Sequence, residues 1–161
     1  MNNKQILSSY AKVRFQDCDP FNHLNNSKYI DYFINAREDQ ILENYDLDMQ
    51  DFIKKNRTAW VVSTSQIAYI KPAHTMEEVL IESQLIQHSE KHLLVELRMY
   101  DQMKTHLKSF LWITFVHISL REQKAAAHSS ELMELFKNVE LPIEDRFFES
   151  RKTTLIKKSK Y

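Results

Sequence analysis

The sequence predicts an α+β protein: one antiparallel sheet of about five strands around a long central helix, with a short C-terminal helix. Three observations lead there. The 161 residues suit a single domain with a real core. The stretch from Lys28 to about Tyr45 has helical periodicity and is apolar over most of its circumference. Four runs rich in Val, Ile, Thr and aromatic residues then follow one another, separated by short polar segments. A single sheet wrapped on the helix is the economical packing for that order.

Ala11–Gln16 alternates as a short first strand, and Asp19-Pro20 ends it, because proline forces the preceding residue to be extended. Asn25, Asn26 or Ser27 can cap the helix that follows. Along it, Lys28, Asp31, Asn35, Glu38 and Asp39 recur at three- and four-residue steps as a narrow polar stripe. A short helical turn over Asp51–Lys55 leads to strands at Trp60–Ile70, Val79–Gln87, Leu93–Met99 and Leu107–Ser119. The last of these has so little polar interruption that both of its faces need cover, from this chain or another subunit. Ser130–Asn138 reads as the second helix, and the rest as irregular. The domain is expected to span 1–161, with a core over about 8–138 and a solvated basic tail over 151–161, RKTTLIKKSKY. The outer face and edges of the sheet would be covered by self-association into a homodimer or homotetramer.

Composition removes several classes of function. Basic and acidic residues both total 22, so no global field draws the chain to nucleic acid or to a membrane. There is no glycine, which excludes glycine-rich phosphate loops and leaves left-handed backbone positions to Asn or Asp. Asn22, Asn25 and Asn26 stand where such a turn is needed. Cys18 is the only cysteine, so no internal disulfide forms, and a reducing cytoplasmic setting is expected. MNNKQILSSYAK lacks the apolar core of a secretory signal. His88 and His92 have helical ligand spacing but fall at a hairpin without a third ligand, so no metal is expected.

The chemistry concentrates in Val13–Arg37, VRFQDCDPFNHLNNSKYIDYFINAR. There a strand, an Asp-Pro turn and a helix place the Asp19 carboxylate just ahead of a helix N-terminus, whose free N–H groups can hold a developing oxyanion. Asp17-Cys-Asp19-Pro-Phe-Asn-His23-Leu-Asn25-Asn26-x-x-Tyr29, with Ala36-Arg37 beyond it, resembles the D-x-D-x-x-G-H-V-N-N-x-x-Y pattern of hotdog-fold acyl-CoA thioesterases of the 4-hydroxybenzoyl-CoA thioesterase type. It is also similar to the carboxy-terminal hotdog of plant acyl-ACP thioesterases. Ile67-Ala-Tyr69-Ile-Lys71-Pro72 agrees more weakly. The family's glycine before His is Asn22 here.

The resemblance implies hydrolysis of an acyl-CoA or acyl-ACP thioester without cofactor or metal. Asp19, otherwise an Asx-turn residue, would be the nucleophile or the general base. His23, otherwise a turn residue bonded to nearby backbone, would orient water or the thioester with Asn25. Asn25 and Asn26 are also simple caps, and the Asn26 N–H would be the oxyanion donor. Tyr29 would line the acyl pocket, and the Asn22 side chain would narrow the acyl-CoA entrance. Asp17 pairs with Arg14 or shapes the turn. Cys18 should face away from Asp19, since adjacent extended residues alternate. Arg57, Lys71, Lys91 and Lys104 are either surface charge or contacts for CoA phosphates. Two alternatives stand beside this one: a hotdog hydratase or dehydratase on enoyl or hydroxyacyl thioesters, and a non-catalytic acyl-thioester-binding protein.

Overall fold

The computed structural model describes residues 3–159. The elements are β1 (Ile6–Lys12), α1 (Tyr29–Tyr45), α2 (Met49–Asn56), β2 (Thr58–Tyr69), β3 (Glu78–His88), β4 (His92–Asp101), β5 (Leu107–Ser119), β6 (Lys124–Ala125), α3 (Ser130–Val139) and α4 (Phe148–Ser159). The main strands run in the order β1-β3-β4-β5-β2, every pair antiparallel, and the two-residue β6 adds to β5. Helix α1 packs on the inner face, as the hotdog expectation requires.

Two details of the strands differ from the sequence expectation. The first strand ends at Lys12, earlier than expected, and Phe15–Asp17 is a 3-10 turn. The four later strands do not pair in sequential order. Only β3-β4-β5 form a meander, while β2 lies at the far edge beside β5. The segment 70–77 therefore crosses the end of the sheet, where the Leu24 N–H donates to Ala73 O at 2.8 Å and His23 and His74 form a bridge. This crossing holds the Asp-Pro loop against the sheet.

Helix α1 buries one stripe, Tyr29, Phe33, Ala36 and Gln40, at steps of four, three and four residues. That stripe is narrower than the composition suggests, because Ile30, Tyr32, Ile34 and Tyr45 only pack its flanks. Gln40 is fully buried and stays satisfied: its Nε2 donates to Ser9 Oγ at 2.8 Å and to Ile81 O at 3.0 Å. The stripe meets Val79, Ile81, Val95, Leu97, Met99, Leu111 and Ile113 from the inner face of the sheet.

The basic end is not a solvated tail. Residues 148–159 form α4, whose Arg151 and Leu155 are buried on the outer face of the sheet; Lys160 and Tyr161 lie outside the described residues. Phe148 stacks on Phe110 with ring centroids 4.6 Å apart and meets Trp112 edge-on. Beneath α4, the fully buried Glu96 accepts hydrogen bonds from Arg151, from Arg98 Nη1 (2.5 Å) and from Trp112 Nε1 (2.7 Å). Burial pushes the Glu96 carboxyl up, but Arg151 and Arg98 outweigh this and hold it below the usual range. The cover that β5 needs on its outer face thus comes from the same chain.

Lacking glycine, the chain takes left-handed backbone at Asn22, Asp46, Arg57, Met76, Lys104 and Gln123. Only the first two are the Asn/Asp expected there. Asn25, at φ −62°, is not among these positions. Turn and helix-end geometry forces the left-handed conformation on the others.

Candidate active site

The candidate site is the loop 17–28 together with segment 70–77. Asp19 Oδ1 accepts the N–H groups of Phe21 (2.9 Å) and His23 (3.1 Å), an Asx turn, so that oxygen is committed. Asp19 Oδ2 has no partner among the described residues, and the side chain is half-buried. The turn therefore occupies one oxygen of Asp19 and leaves the other without a partner among the described residues. Asn22 has φ 61°, and its carbonyl accepts from Thr75 N–H (2.9 Å) and Thr75 Oγ1 (3.2 Å). Its exposed side chain follows a backbone that makes the turn without glycine.

The helix opens in two stages, with a 3-10 turn over Asn26–Lys28 and then α1 from Tyr29. Asn25 is the cap: its Oδ1 accepts from Ser27 N–H (3.0 Å) and Ser27 Oγ (2.9 Å). The Asn25 N–H donates to Asp17 O (2.9 Å), and the Asn25 carbonyl accepts from Lys28 N–H (2.8 Å). The Asn26 carbonyl accepts the Tyr69 hydroxyl at 3.0 Å. Among the described residues, the Asn26 N–H has no acceptor. A single free N–H at a helix mouth, on the same loop as a free carboxylate oxygen, is a place for a carbonyl that gains negative charge.

His23 is half-buried, and its ring hydrogen-bonds to none of the described residues. It lies edge-on to His74, with centroids 5.0 Å apart. Tyr29 is buried, accepts from Ala73 N–H at 3.2 Å and packs edge-on to Tyr69 at 5.1 Å. Burial pushes its phenol above the usual value, and the charges of Glu77 and Asp19 add to that. Asp17 shapes the turn rather than pairing with Arg14: its Oδ2 accepts the Tyr32 hydroxyl at 2.6 Å. Burial first, and this bond second, push Tyr32 up to about 12. Cys18 packs toward the core and donates from Sγ to Arg14 O at 3.3 Å. Lys104 is engaged by Glu82 at 2.6 Å.

Sequence reasoning missed His74, Tyr69 as a contact of Asn26, and the Lys108–Glu77 ion pair (3.0 Å) that braces segment 70–77. No local pattern marks His74 or the Lys108–Glu77 pair, and the resemblance through Ile67-Ala-Tyr69-Ile-Lys71-Pro72 gives Tyr69 no role, because the crossing of 70–77 over the loop creates these roles. An apolar cavity of about 280 Å³ lies beside the C-terminal half of α1, lined by Ile34, Ile41, Trp60, Leu97, Phe115 and Phe136 among others. Tyr29 does not border it. The cavity begins beyond Phe33, roughly two helical turns from Asn26.

Residues 13–136 match the family model described as the thioesterase-like superfamily. The chain belongs to that superfamily. It is 32% identical over 128 residues to the long-chain acyl-CoA thioesterase FadM of Escherichia coli, spanning 80% of this chain and 95% of that protein. Among solved structures it resembles YbaW, a probable thioesterase of Escherichia coli, with TM-score 0.72 and 28% identity over 84% of this chain and 99% of that one. The 1,4-dihydroxy-2-naphthoyl-CoA thioesterase Slr0204 of Synechocystis shares the fold, with TM-score 0.75 and 18% identity over 85% of this chain and 99% of that one. The superfamily match stops at residue 136, so α4 and its approach lie outside it.

Proposed function

We propose that this chain is an acyl-CoA thioesterase, hydrolysing the thioester to a free acid and CoA. The observation that carries the assignment is the pairing of a free Asp19 Oδ2 with a free Asn26 N–H on one braced loop, in a chain 32% identical to an acyl-CoA thioesterase. The thioester carbonyl sits with its oxygen toward Asn26 N–H. Asp19 Oδ2 either attacks the carbonyl carbon, expelling the CoA thiolate and leaving an acyl-aspartyl anhydride for water to cleave, or takes a proton from the water that attacks. His23 and the Asn25 amide position water or carbonyl at the mouth, and the Asn22 side chain flanks the entrance. The acyl chain runs along α1 past Tyr29 into the apolar cavity, whose 280 Å³ holds on the order of nine groups of water size (roughly 30 Å³ each).

The working unit is a homodimer in the cytosol, paired through β2. This edge strand carries no charged residue from Thr58 to Ile70, and Val61 and Val62 are exposed. Because α4 covers the centre of the outer sheet face, a tetramer packed through that face is disfavoured. Among the described residues, no helix is long and apolar enough to cross a membrane.

The test is thiol release across a panel of acyl-CoA and acyl-carrier-protein thioesters, by wild type and by Asp19→Asn. A loss of at least 10³-fold in kcat is expected for the variant. Equal activity of the two proteins rules the mechanism out. With hydrolysis run in ¹⁸O water, label entering the Asp19 carboxylate marks the nucleophilic route with water attacking the aspartyl carbon of the anhydride.

A further inference from the structure

The turn that opens α1 is tied at nearly every polar backbone position, and the tie from the sheet comes from one side chain. The Asn25 N–H, the Asn25 carbonyl and the Ser27 N–H are all held by neighbours within the loop. The Asn26 carbonyl is instead held by the hydroxyl of Tyr69, 43 residues further along at the end of β2. Tyr69 is itself well anchored. Its ring rests edge-on against buried Tyr29, whose hydroxyl is fixed by Ala73 N–H. Its strand is registered to β5 at Ser109, which donates from Oγ to Ala68 O at 2.8 Å.

We propose that Tyr69 is a positioning residue for catalysis: its hydroxyl locks the Asn26–Ser27 peptide against the sheet, so that the Asn26 N–H points steadily at the thioester oxygen. The inference rests on Asn26 N–H being the oxyanion donor. Two peptide planes meet at the Asn26 Cα. With the Asn25 carbonyl tied to Lys28 and the Asn26 carbonyl tied to Tyr69, neither plane turns. An oxyanion donor stabilises the transition state because its dipole is aimed before charge develops. A turn held only within its own loop would have to reorganise during the reaction.

A double-mutant cycle on the acyl-CoA that wild type cleaves fastest tests this. Asn26→Pro deletes the N–H itself. The substitution suits the site, since that N–H has no acceptor among the described residues and Asn25, at φ −62° and ψ 134°, already has the conformation that precedes proline. Tyr69→Phe removes only the hydroxyl. Asn26→Pro is expected to lower kcat about 10²–10³-fold. Tyr69→Phe is expected to lower it about tenfold, as the loss of one hydrogen bond allows, with KM changed less than about twofold. In the Asn26→Pro background, Tyr69→Phe is expected to cost nothing further. Should proline unfold the turn, an ester in place of the Asn25–Asn26 peptide bond deletes the same N–H and takes its place in the cycle.

Unchanged kcat in Tyr69→Phe overturns the proposal, as do losses that multiply in the double variant. A lower melting temperature with higher KM and intact kcat per folded molecule also overturns it, because it marks a purely structural role. Full activity in Asn26→Pro beside an inactive Asp19→Asn removes the oxyanion assignment and this inference together. An inactive Asn26→Pro beside a fully active Tyr69→Phe removes this inference alone.

Discussion

Arg151 grips Glu96 with two nitrogens, Nε at 2.8 Å and Nη2 at 2.7 Å, across the outer face of the sheet. Both side chains are buried, and Arg151 also lies 3.6 Å from Asp145. The pair fastens to β4, inside the superfamily match, a helix that lies beyond it. Arg151→Met leaves part of a buried charge uncompensated and is expected to cost about 3 kcal/mol of stability. Urea denaturation measures this. A change under 0.5 kcal/mol would mean that α4 is an ornament on the sheet.

Stability should fall on mild acidification because of His128. Its Nε2 accepts Trp60 Nε1–H at 3.0 Å, and its Nδ1 faces Ser89 O at 3.0 Å, a pattern that requires the neutral ring with the proton on Nδ1. Burial above all, and the charges of His117, His88 and His92 after it, push its pKa below the ordinary value. The unfolded imidazole takes up a proton as pH drops through about 6.5, and the folded one resists, so stability is full above that pH and declines below it. Glu96, held low, acts in the same sense at lower pH: its contribution is present above the ordinary carboxylate range and is lost as acid protonates it. Melting temperatures from pH 8 to 5.5 are expected to fall for wild type and to stay nearly level for His128→Asn. Parallel curves would sink the assignment.

Chain-length preference should be set by the cavity beside α1. Ile41→Trp adds bulk at its wall and is expected to lower kcat/KM for the longest accepted acyl-CoA by tenfold or more, while the shortest changes less than twofold. The acyl-CoA panel reads this directly. A uniform loss at all lengths would show that the chain does not enter the cavity.

The β2 edge should govern assembly. Val62 is 47% exposed on an uncharged strand, and Val62→Lys sets like charges near one another across an antiparallel pair. Sedimentation velocity is expected to show a dimer for wild type and mostly monomer for the variant. A wild-type monomer at micromolar concentration would refute the proposed interface.

The sequence alone carried the main strands, the central helix and the candidate loop. Helical periodicity marked α1, β-branched runs marked β2 to β5, and Asp19-Pro20 with the three asparagines marked the turn, because short-range sterics and capping decide all of these. It determined that left-handed backbone must be taken without glycine, and Asn22 does so at φ 61°. Only the tertiary structure decided which strands are neighbours, and with it the crossing of 70–77 that brings Tyr69, Ala73 and His74 to residues 22–29. Strand order follows from long-range packing that no local pattern encodes. The same holds for RKTTLIKKSKY, which reads as a solvated basic tail until Glu96 is found buried beneath it. A charge is buried only where its partner already waits, and that partner lies 55 residues away in the chain.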